Sequence, residues 1–319
     1  MKEVKRVQQM GNALTIYLPR KWTEANGVGK GSTVFVSESN DGALCILAKK
    51  SSDKVAVTVQ ANSVAEGIHH VVSSYICGAT ETVVHGKYAF EVATEARHKL
   101  TAIELLNEPD GNYLLRIIAE TALLPTEEII LRMFNSSKAL HDYVLAILES
   151  KAKASTEKLE KRDDAIDRRY LLLLRKAYQS RNAFEAVSNT RIAWSIERVS
   201  DHLVEIGQYA VENPGLTHDV DAFKESFALY ENAFNYFRKL DFNYSFFQQK
   251  DALVRKLRKQ VASSSDSEHA NYLRHCIRIV EYASEICEIT CNKIRCTRLA
   301  EKDRADSAVQ RSPWVAPKA

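Results

Sequence analysis

The 319-residue sequence predicts an α+β chain of several domains, and three observations carry that expectation. The first 50 residues alternate and turn like short strands, whereas residues 51–122 mix strand-like runs with helical periodicity. From residue 123 to 298 the apolar positions recur at spacings of three and four, as in a helical bundle. Hydrophobic content of 45% and charged content of 27% fit a soluble globular protein rather than a membrane-embedded or disordered one. No run approaches the ~18 apolar residues of a membrane span, and MKEVKRVQQM lacks the apolar core of a signal peptide. A cytoplasmic protein with no membrane insertion is expected. Cys45, Cys77, Cys276, Cys287, Cys291 and Cys296 form no C-x-x-C pair, which argues for reduced thiols rather than a zinc ribbon or a disulfide framework.

Residues 1–50 come first. Leu14, Ile16 and Leu18 alternate with Thr15 and Tyr17 like a half-buried strand that Pro19 ends, and RKWTEAN reads as a helical turn. Val34 to Val36 starts another strand, and Asn40-Asp41-Gly42 is a hairpin turn before Ala43 to Leu47. Gly27-Val28-Gly29-Lys30-Gly31 lacks the spacing of a phosphate loop and reads as turns. The segment carries eight Lys/Arg against four Asp/Glu, an asymmetry compatible with a nucleic-acid partner.

VKRVQQMGNALTIYLPRKW, NGVGKGSTVFV and DGALCIL together resemble the AbrB/SpoVT (MazE-like) DNA-binding domain. That resemblance implies a swapped-hairpin β domain in which two chains exchange hairpins, hence a homodimer that binds DNA. About 50 strand-rich residues bury too little surface to be stable without a partner, which points the same way. Lys5, Arg6, Arg20 and Lys21 are the cations placed on the DNA side, with Lys2 and Asn12 as further candidates. The alternatives are a solvated basic surface, or an antitoxin-like domain used for dimerisation.

Residues 51–122 predict a small β-α-β-α-β domain: strands at Lys54 to Val59, Glu81 to His85 and Tyr113 to Ile118, and helices at Ser63 to Ile76 and Phe90 to Leu106. His69, His70, His85 and His98 show no ligand spacing and read as ordinary histidines.

The helical part follows, with Thr126 expected to cap its first helix. In Arg191 to Val211, Ile192, Ile196, Val199, Leu203, Ile206 and Ala210 mark one apolar face. Beside it Glu197, Asp201 and Glu205 stack at i,i+4, where like charges cost about 0.2–0.5 kcal/mol per pair. In the preceding helix Leu159, Ile166 and Leu173 mark an apolar face, and Asp163 and Asp167 form another acid pair. Packed antiparallel, the two helices would bring four carboxylates together, a donor set that suits a hard metal ion. Lys161, Arg162, Arg168, Arg169 and Arg198 lie near enough in sequence to neutralise the acids instead.

Glu197-Arg198-Val199-Ser200-Asp201-His202 and Asp163-Asp164-Ala165-Ile166-Asp167 resemble the paired motifs of the PhoU family of phosphate-uptake regulators, over roughly Thr126 to Cys296. The resemblance implies an all-helical bundle of two three-helix repeats, here about 123–213 and 219–298, with metal (iron, manganese or magnesium) at Asp163, Asp167, Glu197 and Asp201. The family usually has Asn where this chain has Glu205. Archaeal proteins that join an AbrB-like to a PhoU-like part carry a similar middle stretch.

Phe223, Phe227, Tyr230, Phe234 and Phe237 repeat at four and three and read as core. Adding 84 to the motif positions maps Asp167, Glu197 and Asp201 onto Asp251, Glu281 and Glu285, but Asp163 onto Phe247, so a second metal site would be weaker or absent. The polar tail, 299–319, contains two prolines and is expected to be disordered.

The leading expectation is a dimeric DNA-binding regulator of phosphate uptake or phosphate metabolism, not an enzyme. The alternative is a metal-binding adaptor that acts on a phosphate-transporter subunit or a signalling protein. A ferritin-like di-metal oxidase needs Glu-x-x-His motifs, and here Ser200 follows Glu197 at that spacing while His202 comes five residues on.

Overall fold

The computed structural model describes residues 5–38, 44–48, 55–118, 124–153, 155–180, 182–213 and 220–310, with 300–310 described by their backbone. The expected hairpin turn at 40–42, Lys2 and residues 311–319 lie outside the described residues. The chain divides into two compact units, Met1–Lys54 and Val55–Ala319.

In the first unit β1 (Gln8–Met10) pairs antiparallel with β2 (Ala13–Thr15) across a turn whose Gly11 has φ of 62°. A one-and-a-half-turn helix, α1 (Arg20–Ala25), follows Pro19, and β3 (Phe35–Glu38) pairs with β4 (Leu44–Leu47). Gly27 and Gly31 take positive φ, which the sequence anticipated as turns. None of the described side chains of this unit is buried. Met10 and Leu14 are 75% and 76% exposed, and Tyr17, Val36 and Leu44 are exposed as well. These apolar residues are thus left uncovered within the described part of their own unit.

The second unit opens with β5 (Ala56–Gln60), α2 (Val64–Ile76), β6 (Glu81–His85), α3 (Ala89–Lys99), β7 (Ile103–Asn107) and β8 (Tyr113–Ile117). The sheet order is β5-β6-β8-β7, with β5 and β6 parallel and β8 antiparallel to both its neighbours. The expected helix at 90–106 is therefore corrected: it stops at Lys99, and a strand replaces its second half. Ala102 adopts φ of 57°, a left-handed turn that no glycine or proline announces. Ser63 caps α2 by accepting from the Glu66 amide, as its sequence position implied.

Among the described residues the unit continues with the helices α4 (Thr126–Leu148), α5 (Thr156–Tyr178), α6 (Ala183–Glu212), α7 (Val220–Lys239), α8 (Ser245–Ser263) and α9 (Ser267–Gln310). The residue before α4 is Pro125 rather than a capping Thr126, which is the helix's first residue. Helix α5 packs on α4 and α6, and α9 packs on α6, α7 and α8. The aromatic stripe of α7 is buried throughout, with Phe134 and Phe234 stacked at 3.8 Å between ring centroids. Helix α9 continues past residue 298 to Gln310, a correction to the tail expected there, because Leu299 to Gln310 is rich in helix-formers and free of Gly and Pro. No described helix is long and apolar enough to cross a membrane.

The α/β part is seated on α5. Arg175, in the last turn of α5 and buried, donates to the carbonyls of Tyr75 and Ala79 (2.8 Å to the latter) at the C-terminal end of α2, with its guanidinium 5.0 Å from the centre of the Tyr75 ring. The Tyr75 carbonyl lies in the last turn of α2, where the helix dipole favours a cation, and the Ala79 carbonyl lies just beyond the helix. Thr101 donates to the Arg168 carbonyl at 3.2 Å, and Arg168 to the His98 carbonyl at 3.1 Å, so the end of α3 is tied to the same helix. Arg175→Met keeps the apolar stem and strands the acceptors. It should lower unfolding free energy by about 2–3 kcal/mol. Urea denaturation with amide exchange checks this: the amides of the last turn of α2 should exchange faster, and unchanged exchange there would show that Arg175 does not hold the two parts together.

Candidate functional site

Helices α5 and α6 are set by ordinary local signals. The Ser155 side chain accepts from the Lys158 amide at the start of α5, and the Asn182 side chain accepts from the Glu185 amide at the start of α6. The stripe Leu159, Ile166 and Leu173 is buried, as are Ile192, Ile196, Val199, Leu203, Ile206 and Ala210. A close approach near one end depends on Gly207: a Cβ there would lie 2.8 Å from both Leu159 methyls and 3.2 Å from Val144. Leu159 is one turn from Asp163, so this contact also fixes where the acids stand.

The four acids singled out from the sequence face one another across this seam. Burial raises the Asp163 carboxyl to about 7, and Asp167, Asp201 and Glu197 add to the shift. Asp167 is raised to about 6 by burial and then by Glu197, and Asp201 to about 6 by burial and then by Glu197. Glu197 is the most enclosed of the four. The buried Oδ1 atoms of Asp163 and Asp167 have no hydrogen-bond partner. Leaving such acceptors unpaired costs roughly 1–3 kcal/mol each.

The five neighbouring cations divide sharply. Arg198 alone turns to the acids, pairing with Glu197 and, at 2.9 Å, with Asp201. Lys161 pairs with Glu157, Arg162 lies 5.1 Å from the Tyr143 ring centre, and Arg168 and Arg169 point to the far side of α5. Glu205 is exposed, outside the cluster. His202 turns toward α9, its Nδ1 2.9 Å from Nδ1 of His275, and burial holds it down at about 4.

Whether these acids suit a cation has a two-part answer. The α5 half fits: two orphaned oxygens and two raised carboxyls are what a positive ion would relieve. In the α6 half the Arg198 guanidinium already takes that role. Among the described residues no three His, Cys, Asp or Glu side chains converge on one point at metal-binding distance. A metal would have to draw Glu197 and Asp201 away from Arg198.

The positions related by 84 residues contrast with this. Asp251 pairs with Lys250 at 3.0 Å, Glu281 with Arg278 at 2.6 Å and Arg258 at 3.6 Å, and Glu285 with Arg191. Ser195 also donates to Glu285 at 3.1 Å. Each of these acids has a cation.

Residues 130–210 match the PhoU domain. This PhoU-like region runs from α4 through α6 and contains all four acids. Neither a curated protein nor a solved structure gives a significant match to the chain. The candidate DNA residues lie in the other unit and are exposed: Lys5 and Arg6 precede β1, Asn12 is in its turn, and Arg20 and Lys21 open α1. Arg20 pairs with Glu24 at 2.8 Å, an exposed contact of little energetic consequence. The role of Arg198 was visible as one possibility among five; the latch residue Arg175 had no sequence signal, because its partners are carbonyls of another element.

The raised carboxyls have a defined consequence for stability. Between about pH 4 and 7 the folded state binds more protons at Asp163 than an unfolded chain does, so the stability due to this group falls as pH rises through that window. His202, held low, acts in the opposite sense, so the comparison must be between wild type and a variant. In chelator-treated protein, Asp163→Asn should exceed wild type in stability by about 1–2 kcal/mol at pH 8, after allowance for solvent screening, and by less than half of that at pH 5. Urea titrations at the two pH values check this, and an equal difference at both would remove Asp163 from the repulsive cluster.

Proposed function

We propose that the protein is a dimeric, DNA-binding regulator of phosphate uptake or phosphate metabolism, of the archaeal type that joins an AbrB-like to a PhoU-like part. The PhoU match over α4–α6, spanning the four acids, is the observation that carries the phosphate connection. The two-repeat organisation is extended to α7–α9 on the pattern of helix packing and on the recurrence of acids 84 residues apart. Dimerisation through the first unit is supported by its uncovered apolar face, since a unit with no buried side chain gains little from folding alone. Lys5, Arg6, Asn12, Arg20 and Lys21 are its DNA side, exposed and rich in cations.

In this reading Asp163, Asp167, Glu197 and Asp201 hold a metal ion of the iron, manganese or magnesium class. The ion supplies positive charge that offsets the repulsion of the four acids, and the chain's own part is to present oxygen donors and release Arg198. The protein acts by binding, without chemistry of its own, in the cytoplasm, and a phosphate-transporter subunit or signalling protein can read its state.

Two measurements test the reading. In gel-shift titrations against promoter DNA of phosphate-transport genes, affinity should fall with salt at a log–log slope of about −0.9 per phosphate contact. Arg6→Ala/Arg20→Ala should weaken binding and flatten that slope by about two such contacts while light scattering still reports a dimer. A dimer that binds no DNA in wild type would favour the adaptor reading. Elemental analysis before and after chelation decides the metal: wild type should carry it and Glu197→Ala/Asp201→Ala should not, and a metal-free wild type from metal-supplemented buffer would overturn the assignment.

A further inference from the structure

On the side of α5 away from the acids lies a cavity of about 250 Å³, lined by Thr101, Arg132, Ala165, Arg168, Arg169 and Leu172 among others. Three guanidiniums in one cavity are unusual because like charges repel in a partly desolvated space. Arg132 has a partner in Glu128, at 2.8 Å. Arg168 and Arg169 have no carboxylate within ion-pair distance among the described residues: Arg168 donates to the His98 carbonyl at 3.1 Å, and Arg169 to the Ser136 hydroxyl at 3.3 Å and to the Ala165 carbonyl.

A second cavity in the same unit serves as an internal control. At about 380 Å³ it is lined by Arg191, Lys250 and Arg278, but these face Glu281, Glu285 and Glu288. Its charges balance within the wall, and it calls for no counter-ion. Among the described residues no acid lines the wall of the first cavity, and the charge left over there is positive.

We infer that the cavity between the α3–β7 turn, α4 and α5 binds a phosphate group, as inorganic phosphate or a small phosphomonoester, through Arg168 and Arg169 with Arg132 at its mouth. Guanidiniums present paired N–H donors that match phosphate oxygens, and several around one centre are a recurrent solution for a doubly charged oxyanion. The volume is below the roughly 300 Å³ at which drug-sized ligand pockets begin, which suits a small ligand. The site rests on this cavity alone and requires neither DNA binding nor a metal at the acids.

Isothermal titration of the full chain with inorganic phosphate, and separately with glycerol 3-phosphate, tests the site at ionic strength held constant with sodium chloride. One saturable site per chain is expected, and the tighter of the two probes identifies the free ion or the ester as ligand. Arg168→Gln/Arg169→Gln should weaken that binding at least tenfold, whereas Arg116→Gln, on the exposed side of β8, should leave it unchanged. Circular dichroism and the melting temperature establish that each variant is folded. If the double glutamine variant does not fold, Arg168→Lys/Arg169→Lys is measured instead, and loss of the guanidinium forks should weaken binding several-fold. Absence of saturable binding by both probes, or an unchanged affinity in the folded arginine variant, overturns the assignment.

Discussion

The seam between α5 and α6 is the constraint on which the rest of the second unit depends. Burying the apolar stripes of both helices fixes their rotation about their own axes, and the acids beside those stripes must then face each other. Gly207 sharpens the constraint, since its missing side chain lets Leu159 and Val144 approach the α6 backbone. Hydrophobic packing thereby imposes an electrostatic cost it cannot remove. A chain in which these acids had only a solvent-facing role could place them one position further round the helix and avoid that cost.

How the cost is met differs between the two halves of the bundle. Around Asp251, Glu281 and Glu285 the helices supply Lys250, Arg258, Arg278 and Arg191, so every acid has a partner. Around Asp163, Asp167, Glu197 and Asp201, Arg198 pairs with the α6 acids, while Lys99 offsets the charge of Asp167 without an ion pair to it among the described residues. Two oxygens on α5 remain without donors. The two sites share three of four acid positions in sequence yet differ in charge balance.

The stripes of α5, α6 and α7, and the acid pairs beside them, were legible because 3.6-residue periodicity reports which residues share a face. The strand Ile103–Asn107 was not, because Ile103, Leu105 and Leu106 extend the apolar pattern of the preceding helix and the interruption rests on Ala102, a residue with no intrinsic preference for positive φ. The pairing of Arg198 could be named only as one of five options, since helical spacing gives direction around an axis but not which cation reaches across it. Arg175 was illegible for a further reason: its partners lie about 100 residues earlier and are backbone carbonyls, which every sequence position offers alike.

Helix α5 consequently carries three jobs, two of them on one side, since Arg168 and Arg175 stand about two turns apart. Asp163 and Asp167 turn to α6, Arg175 locks the end of α2, and Arg168 and Arg169 turn to α3 and α4. The acidic face lacks positive charge and the arginine face lacks negative charge, yet residues 167 and 168 are adjacent in the chain. They cannot neutralise each other, because successive residues on a helix diverge by about 100° and the backbone lies between them. A single helix is thus held with opposite, locally uncompensated charges on different sides, and the α/β part is fastened to that same helix. The charge on either face therefore bears on the element that also holds the end of α2 through Arg175.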